Sequence, residues 1–321
     1  MSIKAYLKEI GRGKEGARSL DREQAFDLMS QVLDGRASDL EIGAFAIGMR
    51  VKGETADELA GFLDAVHERC LPLPAPPGTV MLASYNGARR LPNLTALLAQ
   101  LLAQEGVPVL VHGPVHDPGR VTTAEVLRDL GLPFARDAAD AAAAWRRREP
   151  VFMPTEVLCA PLARLLDVRR VIGLRNPGHT VAKLLAPAPH AWRVMNHTHP
   201  EYGVLLRQFI AAVRADALLL RGTEGEPVAD ARRTPRMDVF VDGAERPGLG
   251  VPAHDGVVTE LPLLPRECDA ATTALYIQAV TGGEKPVPRP IGLQVQALLA
   301  ALRTQGAPSA TAAAAPRGAS A

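Results

Sequence analysis

The sequence predicts an α/β protein with a small all-helical lobe and a larger lobe built on a mostly parallel sheet. Three observations carry this. The first 70 residues hold three helix-start signatures and stripes of helical period. The stretch Leu71–Gly78 is too rich in proline for any helix to cross it. Beyond it, short apolar runs alternate with helices. At ~100–200 residues per domain, a chain of 321 residues allows one large domain or two ordinary ones. With 47% hydrophobic and 22% charged residues it is not a wholly disordered chain. No apolar run approaches the ~20 residues that span a bilayer. The N-terminus, Met1–Glu9, lacks the apolar stretch of a signal peptide. A cytoplasmic protein without a membrane partner is expected.

Asp21 with Gln24, Ser38 with Glu41, and Thr55 with Glu58 each place a short oxygen-bearing side chain three residues before an amide or carboxylate. Such pairs satisfy the free N–H groups of a first helical turn. Ile42, Phe45, Ala46 and Met49, then Leu59, Phe62, Leu63 and Val66, form the stripes of helices with one buried face. Gly35 and Gly53 are placed to stop helices. Strands are expected at Thr79–Ala83, Val107–Val111, Val194–Asn196 and Ala217–Leu220, and helices from Asn93, Thr123 and Glu201. Between Thr155 and Leu185 two helical segments are expected to rejoin the first lobe. The boundaries are then 1–73 for the helical lobe, joined by about 155–187, and 78–154 with 190–305 for the α/β lobe. The alanine-rich end, 306–321, is expected to be a disordered tail.

Charge is distributed unevenly. The formal net charge is +1, but Trp145–Arg193 holds nine basic and three acidic residues. Arg146, Arg147 and Arg148 close an alanine-rich helix, where cations meet the negative end of its dipole. Arg169, Arg170, Arg175 and Lys183 follow. Several cations acting together are what a phosphate backbone requires. Cys70, Cys159 and Cys268 are an odd number without Cys-x-x-Cys spacing, which speaks against a disulfide framework and a zinc site. His197-Thr198-His199 lacks an evident third metal ligand. No Ser–His–Asp or Cys–His arrangement is visible, so no catalytic residue and no metal ligand is assigned.

Leu20–Met29, Asp34-Gly35 and Arg50–Gly61 resemble the opening of the anthranilate phosphoribosyltransferase and nucleoside phosphorylase superfamily, glycosyltransferase family 3. The resemblance runs over roughly residues 3–235. It implies a helical lobe that dimerises and an α/β lobe, with a cleft between them that in the active enzymes binds phosphoribosyl pyrophosphate with magnesium, and anthranilate. The motifs depart from that pattern. Ala83-Ser84-Tyr85-Asn86-Gly87 stands where the family has Gly-Thr-Gly-Gly-Asp, and Ala88-Arg89-Arg90 follows. Asn93 and Thr95 keep the family's polar character. Val111-His112-Gly113-Pro114 stands for Lys-His-Gly-Asn, so only His112 and Gly113 survive. Pro227-Val228 replaces the carboxylate pair that holds magnesium, though Glu224, Glu226 and Asp230 lie close by. His179 falls near the family's anthranilate-binding arginine, and Lys183 replaces an asparagine.

These departures resemble the YbiB-like branch of the superfamily, which implies a nucleic-acid-binding dimer on a phosphoribosyltransferase scaffold. On that reading Arg89, Arg90, Arg146, Arg147, Arg148, Arg169, Arg170, Arg175, His179 and Lys183 meet DNA or RNA without sequence preference. Ser84, Asn86, Gly87, Asn93, Thr95, His112 and Gly113 line a degenerate substrate cleft, and no cofactor is needed. The competing reading is a transferase of altered specificity, using phosphoribosyl pyrophosphate with magnesium. Trp192 and Tyr202 could stack on bases, but at 4% aromatic content core positions are expected for them. A homodimer is expected because the stripes of Ile42, Phe45, Met49, Leu59 and Phe62 exceed what one small lobe can bury.

Overall fold

Each of the three N-terminal signatures forms a reciprocal capping box in the computed structural model, which describes residues 2–188, 190–254 and 262–306. The expected tail lies outside these residues beyond Gly306. Helices α1 (Lys4–Ile10), α2 (Gly13–Gly16), α3 (Arg22–Leu33), α4 (Asp39–Lys52) and α5 (Ala56–His67) build the first lobe. Gly35 and Gly53 end α3 and α4 with φ of 70° and 80°, the left-handed region that a side chain disfavours. Phe45 and Phe62 meet edge to face at 5.8 Å in the centre of the lobe. The prolines of 71–78 hold an extended connection, pinned by buried Leu73.

Seven strands follow among the described residues: β1 (Val80–Ala83), β2 (Val109–Gly113), β3 (Val151–Pro154), β4 (Trp192–His197), β5 (Ala217–Arg221), β6 (Met237–Val241) and β7 (Ala244–Glu245). They order as β3-β2-β1-β4-β5-β6-β7; the first five are parallel, and β6 and β7 add antiparallel strands at one edge. The second strand starts later than expected because Pro108 has no N–H to pair; it runs on through His112 and Gly113, which pair with Met153 and Pro154.

Side chains alternate strictly across the sheet. Val80, Leu82, Val109, Val111, Leu218 and Leu220 face one way, against α6 (Thr95–Gln104), α7 (Thr123–Asp129), α14 (Ala270–Thr281) and α15 (Arg289–Gly306). Met81, Ala83, Leu110, Ala217 and Leu219 face the other way and share one apolar cluster with the helical lobe. Helices α8 (Ala138–Arg146) and α13 (Pro200–Ala212) also cover this face. The segment after β3 forms four short helices rather than two: α9 (Thr155–Leu158), α10 (Ala160–Asp167), α11 (Arg169–Ile172) and α12 (Pro177–Ala182). Of these, α10 packs on α3 and α12 on α4 and α5. Strand order reverses between the parallel neighbours β1 and β4, since β2 and β3 are added on one side and β4 and β5 on the other, and such a switch point opens a crevice at the carboxyl ends of the strands.

Stripe residues Phe45, Met49, Leu59 and Phe62 are wholly buried within this one chain. The surplus of apolar surface inferred for the first lobe is therefore not theirs. A different face of α4 carries it: Leu40, Ala44, Ile47 and Val51 are exposed, and at spacings of four, three and four residues they form one stripe.

Candidate functional site

The crevice is floored by the loop after β1, and the chain's own carboxylates fill it. Glu226, in the loop after β5, is 1% exposed. It accepts the backbone N–H groups of Asn86 and Gly87 at 2.8 Å each. The hydroxyls of Ser84 and Thr95 also donate to it, Thr95 at 3.3 Å. Thr123 closes the ring, 2.7 Å from Ser84 Oγ and donating to Asn93 Oδ1 at 3.2 Å. Asn93 Oδ1 also accepts from Thr95 N at 3.2 Å, and α6 begins at Thr95, two residues past its expected start. Charge-assisted bonds of this kind are the strong ones.

A second carboxylate does the same on the outer side. Glu224 accepts from the N–H groups of Arg90 at 2.9 Å and Leu91 at 3.0 Å, with Arg89 N at 3.3 Å. Bare N–H groups in a loop form an anion cradle; here both cradles are occupied from within. Asn86 Nδ2 ties the two loops together through the Glu224 carbonyl at 3.0 Å. Gly113 is required where β2 meets this loop, because a Cβ there would lie 1.9 Å from the Ser84 carbonyl oxygen. Buried His112 bonds Tyr85 Oη through Nδ1 at 3.0 Å, and burial holds its pKa down at about 4, so it is a neutral structural group.

Magnesium and a pyrophosphate do not fit these residues. The oxygens of Glu224 and Glu226 are spent on donors, and Asp230 pairs with Arg232 at 2.9 Å. The nearby carboxylates thus do not converge on a cation, because backbone amides reach them first.

Around the mouth the cations divide. Burial, then the neighbouring Arg169 and Arg120, push down the pKa of Arg175; burial, then Arg175, lower that of Lys183 to about 8. Like charges are held together there. Lys183 Nζ donates to Gly225 O at 3.1 Å, and Arg120 to Gly87 O at 3.2 Å. The side chains of Arg89, Arg90, Arg169 and Arg170 are exposed, with Arg170 reaching Asp167 at 3.2 Å. Two assignments need correction. His179 is not a cation: its Nδ1 accepts from Asn176 N at 3.3 Å, and burial, then Arg175 and Arg169, lower its pKa to about 3. Arg146, Arg147 and Arg148 do not share the crevice. They precede β3, at the amino end of a parallel strand, whereas the crevice lies at the carboxyl ends. At ~3.3 Å per residue the run from Arg148 to Pro154 places them roughly 20 Å away. Arg147 is moreover paired with Glu149 at 2.7 Å.

Beside the cations lies a cavity of about 530 Å³, lined among others by Arg175, His179, Lys183, Asn196 and Tyr202. Sequence reasoning missed Asn196, Arg120 and the part played by Glu226. Only the short spacing of the two glutamates after Gly222 hinted at the last. Trp192 is fully buried, whereas Tyr202 is 38% exposed at the cavity. Cys70 and Cys159 are free thiols, and Cys159 Sγ donates to Val66 O at 3.9 Å.

This layout is that of a phosphoribosyltransferase-fold protein. The chain superposes on anthranilate phosphoribosyltransferase from Thermus thermophilus with a TM-score of 0.73, at 19% identity and 93% coverage of both chains. The enzyme from Saccharomyces cerevisiae in complex with PRPP and Mg gives a TM-score of 0.65 at 14% identity, covering 95% of this chain and 89% of that one. Residues 4–70 match the glycosyl transferase family, helical bundle domain. Anthranilate phosphoribosyltransferase of Methylobacterium nodulans is 28% identical over 91% of this chain and 86% of its own. Protein YbiB of Escherichia coli (strain K12) is 38% identical over 306 residues, 94% of each chain. The chain belongs to the YbiB-like branch of the anthranilate phosphoribosyltransferase superfamily.

Proposed function

We propose that the protein binds nucleic acid through its phosphate backbone, without sequence preference, on a transferase scaffold that has given up its substrate. The observation that carries this reading is the filled cradle. Glu226 and Glu224 take the N–H groups that a pyrophosphate would need, while Arg175, Lys183, Arg169 and Arg120 crowd the mouth. Crowded like charges are relieved by an external polyanion, and phosphate contacts give affinity without sequence readout. A second copy docks on the stripe of Leu40, Ala44, Ile47 and Val51, placing two such mouths on one dimer.

The test is binding of a labelled 30-nucleotide strand to the full chain across a salt series. Log affinity is expected to fall linearly with log salt, by about 0.7–0.9 per phosphate neutralised. Binding that is absent at low salt, or indifferent to salt, would overturn the reading. The transferase alternative stands on the fold and the neighbouring cavity. It predicts turnover of phosphoribosyl pyrophosphate with magnesium and an aromatic amine acceptor, whereas the filled cradle predicts none.

A further inference from the structure

Asn196 is the penultimate residue of β4, at the carboxyl end of the sheet. It is 5% exposed, and among the described residues neither Oδ1 nor Nδ2 has a hydrogen-bond partner. A buried group left unpaired costs ~1–3 kcal/mol, so a fold that keeps a whole amide in this condition is holding it for something else. Asn196 is among the residues lining the 530 Å³ cavity, a volume within the ~300–1,000 Å³ usual for small-ligand sites.

The rest of the wall narrows the chemistry. An amide offers one acceptor and two donor hydrogens side by side. That complements a planar group carrying a donor next to an acceptor, as the pairing edge of every nucleobase does. Arg175 has no hydrogen-bond or salt-bridge partner among the described residues, and Lys183 spends one of its three hydrogens on Gly225 O. Both suit a phosphate. Tyr202, part-exposed on the first turn of α13, presents an aromatic ring at the same cavity.

We propose that this cavity receives one unpaired nucleotide, its base edge on Asn196 and its phosphate between Arg175 and Lys183. The proposal rests on the nucleic-acid reading and deepens it. A base inside a duplex has its pairing edge occupied, so the protein selects unpaired strands although it ignores their sequence. The same chemistry is presented by a free mononucleotide, and the test separates the two sources.

Four probes are titrated by fluorescence anisotropy against the full chain: a 20-nucleotide strand, its duplex, a strand of equal charge with abasic sugars, and unlabelled mononucleotides as competitors. The intact strand is expected to bind roughly tenfold more tightly than the abasic one, the scale of one good two-point base contact. Asn196→Leu, which fills the space without polar atoms, is expected to abolish that difference and leave the salt slope unchanged. Asn196→Ala serves the same purpose should the leucine variant fail to fold. Equal binding of intact and abasic strands, or a difference that survives both substitutions, overturns the assignment. Competition by micromolar mononucleotide identifies the free nucleotide as the source; competition only at millimolar levels identifies the strand. Should no strand or duplex bind even at low salt, the nucleic-acid reading fails by itself. The cavity is then decided by direct calorimetry with mononucleotides: saturable binding lost in Asn196→Leu supports it, and no binding overturns it.

Discussion

Removing the Glu226 carboxylate leaves the amides of Asn86 and Gly87 buried without an acceptor. At ~1–3 kcal/mol for each such donor, Glu226→Ala is expected to lower stability by about 3 kcal/mol, read as a shifted urea midpoint at constant slope. Millimolar phosphate should restore part of that loss in the variant and leave the parent unchanged. Equal stability of variant and parent would show that the cradle needs no anion. His112 sets an acid limit. Its pKa is about 4 in the fold, against an ordinary 6.5, so the unfolded chain takes up a proton first. Its contribution is complete above pH 6.5 and shrinks as pH falls towards 4, by up to ~3 kcal/mol. Urea titrations at pH 7 and pH 4.5 measure this, and a loss unchanged in His112→Asn would assign it elsewhere. Lys183 works in the opposite direction on the scale. With its pKa held near 8, its charge disappears just above neutrality, so strand affinity is expected to weaken between pH 7.5 and 9. Lys183→Met should bind more weakly at pH 7 and show a flatter profile.

Helix α4 serves two surfaces. One buries Phe45 and Met49; the other leaves Leu40, Ile47 and Val51 at 85%, 44% and 55% exposure. An exposed apolar stripe on a helix whose opposite face is packed is an interface signal. The proposed pairing predicts that Ile47→Glu with Val51→Glu leaves the helix intact by circular dichroism and yields a monomer by sedimentation. A parent chain that is itself monomeric at micromolar concentration would refute the pairing.

Across the whole molecule the basic residues fall at two ends of one sheet, and this separates their effects. Arg169→Ala with Arg175→Ala should reduce the salt slope by about two contacts' worth, ~0.7–0.9 each. Arg146→Ala with Arg147→Ala and Arg148→Ala should leave it nearly unchanged, because those residues lie beyond the crevice. An equal loss from both sets would mean that the strand wraps the whole sheet. The sequence disclosed the helical lobe well, because capping boxes such as Ser38–Glu41 are local and read directly from spacing. It hid β3, whose four residues follow Pro150 and end on Pro154, and β6, whose partner is set by tertiary pairing. It also showed that Ser84–Gly87 could no longer cradle a pyrophosphate, yet not that Glu226, 140 residues further on, had taken its place. Contacts of that range have no signature in spacing or period.

The filled cradle changes how the loop depends on the cell. A loop ordered by a dissolved anion is ordered only in proportion to that anion's concentration. A carboxylate tethered to the same chain acts at an effective concentration no metabolite reaches, and it does not dissociate. The crevice therefore keeps one shape in starved and replete cells alike. Swings in free pyrophosphate levels would not reshape the loop. Opening the cradle to a dissolved anion would require removing two glutamates.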